Sequence, residues 1–165
     1  MFELKTLSAD AIPRSLERAE RYRLLNEPAE AESICLDVLA VDTDNQHALV
    51  TLLLARTDHF GERLGAAVRR AEEVIPRLHD AYARAYYTGI VCERHAKARL
   101  ANGGPGSEFA AHDQFLAAMH WFEKAEALAP PGNDDATLRW NTCARIMNGN
   151  PHLQPAPQER EQPLE

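Results

Sequence analysis

One spacing recurs along this chain. In the stretch FLAAMHWFEKAEALAPPGN, Ala118, Phe122, Ala125 and Pro130 stand at offsets of four, seven and twelve residues. Offsets of four and seven share one helical face, so the stretch carries a small, large, small stripe, and the prolines end the helix behind it. The same offsets pick out Ala31, Cys35, Val38 and Thr43 in one earlier stretch, and Ala67, Ala71, Val74 and His79 in another. Three helices on one template predict a stack of similar units rather than a single bundle, because each unit needs its neighbour to cover its stripe.

Upstream of each striped helix lies a second amphipathic stretch: AIPRSLERAERYRLL, QHALVTLLLARTD and AYARAYYTGIVCERHAKARLA. With units starting at Ile12, Gln46 and Tyr82, the first two are 34 and 36 residues long. In this respect the chain resembles the tetratricopeptide repeat family. The small and aromatic pattern of that family is matched by Ala19, Tyr22 and Ala31 in the first unit, and by Gly89, Ala118, Phe122, Ala125 and Pro130 in the third. The second unit departs from it, with Leu53, Arg56 and Ala71 where the family prefers small, aromatic and aromatic residues. The resemblance implies an all-α fold, a right-handed superhelical stack of antiparallel helix pairs.

The expected organisation is a lead-in over 1–11 and a helical repeat domain over 12–148, with units 12–45, 46–81 and 82–132, a closing helix over 133–148 and a disordered tail over 149–165. Pro28 suits a first helical turn, and Asp44 and Asn45 offer capping side chains before Gln46. The third unit exceeds the first by 17 residues, centred on the breaker cluster ANGGPGSEF, so both of its helices are predicted to be long, with Leu100, Phe109, Phe115 and Leu116 zipping them together. Ala136, Trp140, Cys143 and Met147 form one stripe on the closing helix, suited to cover the last repeat face. The tail, with Pro155, Pro157 and Pro163 among polar residues, has too little apolar surface to order itself.

The formal charge of −7 opposes nonspecific binding to nucleic acid or an anionic membrane, and directs attention to an apolar or basic protein or peptide partner. Three widely separated cysteines, Cys35, Cys92 and Cys143, make no disulfide framework, and the amino-terminal stretch has no basic start followed by an apolar run. A cytoplasmic location is the expectation. Each cysteine falls on an inferred packing stripe, where a thiol acts as a small hydrophobe.

Two His-Asp pairs, His79-Asp80 and His112-Asp113, with His59 and His95 elsewhere, faintly resemble the ligand set of metal-dependent HD phosphohydrolases. The repeat register separates the pairs, His79 ending one helix and His112 lying on the long hairpin. With no HExxH, Walker A or GxSxG spacing either, a non-catalytic module with no cofactor and no metal is expected, and the phosphohydrolase is the alternative.

The resemblance also implies a concave groove lined by the first helix of each unit. Carried over by position, its lining is Leu16, Glu20, Arg23 and Leu24, then His47, Val50, Leu54 and Asp58, then Tyr86, Ile90, Glu93 and Arg94, with Asn141 and Arg145 from the closing helix. Lys and Asn, which clamp a terminal carboxylate in chaperone-binding members, are replaced at these places by Leu16, Glu20, Val50 and Leu54. Such a groove suits an amphipathic helix or a short apolar peptide, and the chain is expected to act as a scaffold or adaptor. A self-associating structural module is a further reading, as is closure of the groove by its own side chains.

Overall fold

A computed structural model describes residues 1–61 and 63–157. Among the described residues the fold is all-α, with seven α-helices, two 3₁₀ turns and no strand: α1 (Ile12–Leu24), α2 (Pro28–Val41), α3 (Gln46–Asp58), α4 (Leu64–Glu72), α5 (Ala81–Asn102), α6 (Ser107–Leu128) and α7 (Asp135–Gly149). The 3₁₀ turns are Ala9–Ala11 and Ile75–Arg77.

Local chemistry places the boundaries. Pro28 opens α2, where a missing N–H costs nothing. The Asn45 side chain accepts from Ala48 N at 2.9 Å to cap α3, and Asp80 accepts from Ala83 N at 3.2 Å to cap α5. The turn between α5 and α6 is made by residues 103–106, with Gly103 at φ +64° and Gly106 at φ +74°, a conformation that a side chain would strain. The four-residue turn returns α6 along α5.

Each helix packs against the next in sequence, and α3 also touches α1 and α5. The buried side chains form two clusters. The first joins α1 to α4 with Val91 and Ala98 of α5; the second joins α5, α6 and α7 around Phe115 and Phe122. Leu54 and Tyr87 touch both. The stripes lie at these seams: Ala31, Cys35 and Val38, and Ala118, Phe122 and Ala125, are all 0% exposed.

The stripe of α4 runs out early. Ala71 and Val74 are buried and Ala67 half-buried, but α4 ends at Glu72, before Val74, and His79 is exposed. Pro76 stands four residues beyond Glu72, so its ring would strike the Glu72 carbonyl in a continued helix, and the chain tightens into the 3₁₀ turn instead. Arg56, where the second unit departs from the family pattern, donates from Nε to Glu32 Oε1 at 3.0 Å, and Arg70 donates to the same oxygen. One carboxylate and two guanidinium groups, buried at Glu32, half-buried at Arg56 and exposed at Arg70, thus join α2, α3 and α4 where an aromatic ring was the alternative.

Helices α5 and α6 have 22 residues each against 13 in α1 and 14 in α2, roughly 12 Å of additional length. Phe115 is 0% exposed, Leu100 and Phe109 are half-buried, and Leu116 remains 48% exposed, so Leu116 is not part of the expected zipper. The end of α5 is tied back as well, since Asn102 Nδ2 donates to Gly61 O at 3.3 Å. Helix α7 includes Gly149, and Leu153, 8% exposed, joins the second cluster beside α7, its N–H donating to Asn150 O. The rest of the expected tail, residues 158–165, lies outside the described residues.

Candidate functional site

The expected groove residues lie on α1, α3, α5 and α7, but most are engaged with one another. Leu16 is 4% exposed, Ile90 1% and Glu93 0%, so none of the three offers surface to a ligand. Val50, Leu54, Tyr86 and Asn141 are half-buried; Glu20, Leu24, His47 and Arg145 are exposed. Tyr86 is held among rings, stacked on Tyr82 at 5.6 Å and edge-on to Tyr87 at 5.2 Å.

The charged members bridge the helices. Arg23 Nε of α1 donates to Asp58 Oδ2 of α3 at 2.8 Å, and Arg94 of α5 donates to Asp58 Oδ1 and to Thr57 Oγ1 at 2.6 Å. Asp58 therefore ties α1, α3 and α5 together. Glu20 meets His47 Nε2 at 2.5 Å. Buried Glu93 accepts through Oε1 from Lys97 and, at 3.4 Å, from Arg139 of α7, while its Oε2 has no hydrogen-bond partner among the described residues. Across this face ion pairs and hydrogen bonds link α1, α3 and α5 and join α5 to α7, and Leu16, Ile90 and Glu93, expected in the groove, lie buried beneath it. The reason is proximity: rods packed side by side bring the first helices of adjacent pairs within reach of each other's long side chains.

Because Leu54 touches both clusters, Leu54→Glu acts on stability rather than on a free surface. A loss of about 1–3 kcal/mol in urea unfolding is expected. Wild-type stability in that variant would show Leu54 to be peripheral.

An open apolar cleft lies elsewhere, between the turn Ile75–Arg77 and the α5–α6 hairpin, with a volume of about 650 Å³. Ile75 and Pro76 form one wall, Ala81, Ala85 and Thr88 of α5 the floor, and Trp121, Ala127 and Leu128 of α6 the other wall. Leu128 is 52% exposed and Trp121 half-buried. The charged lining residues are Arg84 and Lys124. Arg84 Nη1 donates to Leu78 O and His79 O, both at 2.7 Å, and Lys124 Nζ sits 4.2 Å from the centre of the Trp121 ring.

The first wall is fixed from behind. Gln46 Nε2 donates to Arg77 O at 3.2 Å, Gln46 Oε1 accepts from His79 N at 2.9 Å, and Arg77 Nη2 donates to Thr43 O at 2.8 Å. The cleft exists because α4 stops short while α6 runs on, leaving part of the hairpin's apolar flank uncovered. Trp121 and Leu128, seven residues apart and off the Ala118–Phe122–Ala125 stripe, are the sequence signal of this cleft, one that the packing stripe of α6 does not contain.

The histidines of the phosphohydrolase alternative are dispersed in role. His79 pairs with Asp44 at 2.9 Å, and His112 Nδ1 lies 3.2 Å from Asp113. Among the described residues no group of three or more His, Cys, Asp and Glu side chains is placed to hold a metal ion. All three cysteines are free; Cys35 and Cys143 are buried and Cys92 is half-buried. Burial pushes the thiols up, to about 12 at Cys35 and Cys143 and to about 11 at Cys92, which makes them poor nucleophiles at neutral pH. Among the described residues no helix is long and apolar enough to cross a membrane.

Comparison of the chain with protein-family models, curated proteins and solved structures returned no match in any of the three.

Proposed function

We propose that this chain is a non-catalytic protein-interaction module of the cytoplasm, a tetratricopeptide-like right-handed stack of helix pairs that takes an apolar or amphipathic segment of a protein. The repeated stripes support the stack, and the cleft beside Trp121 supports the capture site. That cleft carries the reading: its volume of about 650 Å³ is within the range that holds a few side chains, its walls are apolar, and one of them is braced by hydrogen bonds. An aromatic anchor at the centre of an apolar site is the usual source of binding energy, with charges at the edge setting orientation. The overall charge of −7 favours a basic partner, but the cations Arg84 and Lys124 at the cleft favour a segment carrying a carboxylate beside its apolar anchors.

Capture from native cell extract tests the site. Ala127 is exposed, so Ala127→Glu places a carboxylate in the cleft without disturbing the core. A partner retained by the wild-type chain is expected to lose at least about tenfold in affinity for this variant, and to bind His47→Ala normally, since His47 belongs to the bridged face. Equal capture by a fully helical Ala127→Glu protein would place the partner elsewhere.

A further inference from the structure

Helix α1 carries an arginine stripe that the fold leaves unused. Arg14, Arg18 and Arg21 stand at offsets of four and seven, with Leu25 at eleven, so they share the face turned away from buried Leu16 and Ala19. All four are exposed. Among the described residues none of these three arginines forms an ion pair, although Arg23 on the inner side of the same helix does. Glu17 lies among them, so three cations stand against one carboxylate, on a chain whose formal charge is −7.

A groove of opposite charge lies at the other end of the packed series of helices, between α6 and α7. It has a volume of about 290 Å³ and is lined by Glu123 and Glu126 of α6 and by Thr137 and Trp140 of α7. Glu123 accepts from Trp140 Nε1 and Glu126 from Thr137 Oγ1, both at 3.0 Å. These donors are neutral, and among the described residues no cation pairs with either carboxylate. Lys124 sits instead over Trp121, on the other flank of α6. The two carboxylates are therefore held in place without being neutralised.

We infer that α1 of one copy docks on the α6–α7 groove of another, with Arg18 and Arg21 on Glu123 and Glu126. This does not draw on the Trp121 cleft. Arg18 and Arg21 are three residues apart, as are Glu123 and Glu126, so each pair spans about 4.5 Å of its helix axis. A guanidinium takes a carboxylate through its planar fork and also stacks on an aromatic ring, so an arginine that reaches Glu123 meets Trp140 as well. Tyr22 and Leu25, beside Arg18 and Arg21, add apolar surface to the contact. Helix α1 belongs to the first cluster and α7 to the second, and they are the first and last helices of the series, so each has a side that no further described helix covers. A nucleic acid or an anionic membrane is an extended negative surface that the overall charge repels, whereas two copies meet over a short contact whose more distant charges are screened beyond about 8 Å in physiological salt. The contact is heterologous, so copies add in one direction and an open chain of them keeps one free stripe and one free groove.

Sedimentation velocity tests it with two charge-reversed proteins, Arg18→Glu/Arg21→Glu and Glu123→Arg/Glu126→Arg. Exposed ion pairs are individually weak, so the wild-type protein is expected to pass from monomer to larger species between about 5 and 500 µM. Each reversed protein should be monomeric over that range with wild-type circular dichroism, since all four positions are exposed. An equimolar mixture of the two should associate, because the intact stripe of one meets the intact groove of the other and the reversed stripe meets the reversed groove; misfolding of either cannot produce that recovery. In a Trp121→Phe background, which leaves Trp140 as the single indole, emission should change over the same concentrations.

Wild-type association in the groove variant, with the stripe variant monomeric, would overturn the groove and move the stripe to another face of the copy. Wild-type association in both variants would remove both surfaces from self-assembly. A mixture that stays monomeric would overturn the direct pairing of these charges. A wild-type monomer at every concentration overturns the inference too; saturable binding of a hexaglutamate peptide to that monomer, lost in the stripe variant, would then give the stripe to an acidic segment of another protein.

Discussion

Raising the pH from 8 to 11 is expected to unfold this protein, and Cys35 and Cys143 are the reason. Both are 0% exposed. Burial, offset in part by Arg23 and reinforced by Glu32 and Glu20, raises the Cys35 thiol to about 12. Burial and then Glu93 raise Cys143 to about 12 against the lowering effect of Lys97 and Arg139. An unfolded thiol ionises near 9.0, so above that pH the unfolded chain has released protons that the native state still holds. Stability contributed by these groups is complete below pH 9 and is lost as the pH climbs toward 12. Each thiol costs about 1.4 kcal/mol per pH unit in that window, on the order of 5 kcal/mol for the pair at pH 11, comparable with the whole stability of a small domain. Tyr82 and Tyr87, also raised by burial, add to the slope. Urea unfolding followed by circular dichroism at pH 8, 9, 10 and 11 measures it. The Cys35→Ala/Cys143→Ala protein should begin slightly less stable at pH 8 and then lose far less between pH 9 and 11. Parallel curves for the two proteins would show that the thiols carry none of the alkaline loss.

Truncating Phe122 to Ala is expected to cost about 3–5 kcal/mol, the range for a wholly buried ring. Its seat explains the neighbouring residue. A Cβ added to Gly89 would lie 2.5 Å from Phe122 Cε1 and 2.7 Å from Cδ1, closer than carbon atoms approach. Gly89→Ala gains about 1 kcal/mol of helix propensity and meets an overpacking penalty of about 1–3 kcal/mol, so a net loss is expected where an exposed helical glycine would give a gain. The ring cannot swing aside freely, because Tyr86 lies 5.9 Å from it, centre to centre. Combining Gly89→Ala with Phe122→Leu should therefore cost at least about 0.5 kcal/mol less than the separate losses added together. Urea unfolding of the four proteins in the cycle decides. A Gly89→Ala protein more stable than wild type would mean that α5 and α6 separate at this crossing with little strain.

Much of this architecture could be read from short-range pattern. The Ala118, Phe122, Ala125 stripe and the Ala31, Cys35, Val38 stripe are wholly buried because a helical period of 3.6 residues alone brings them to one face. Asn45 caps α3 and Pro28 opens α2 because capping depends on residues within one turn. The length excess of the third pair became two 22-residue helices for the same reason: breakers mark the turn, and propensity extends the arms up to it.

The site was less legible. Periodicity places Leu16, Ile90 and Glu93 on helix faces, but it does not tell whether a face meets a ligand, water or another helix of the same chain. In the folded chain those residues are covered, and Arg23, Asp58 and Arg94, separated by 35 and 36 residues, are joined into one bridge. Charges so far apart in sequence carry no mutual signal there.

The amino-acid sequence by itself determined that the chain is helical, where most helices begin and end, and which stripe of each is buried, since all of these follow from contacts within a turn or two. Only the tertiary structure decided which faces remained open. The side chains of α1, α3, α5 and α7 bridge one another across the expected groove, while Pro76 cuts α4 short and leaves the flank of the longer α6 bare beside Trp121. Openness is a property of how rods of unequal length lie together, and no window of residues along one rod contains it.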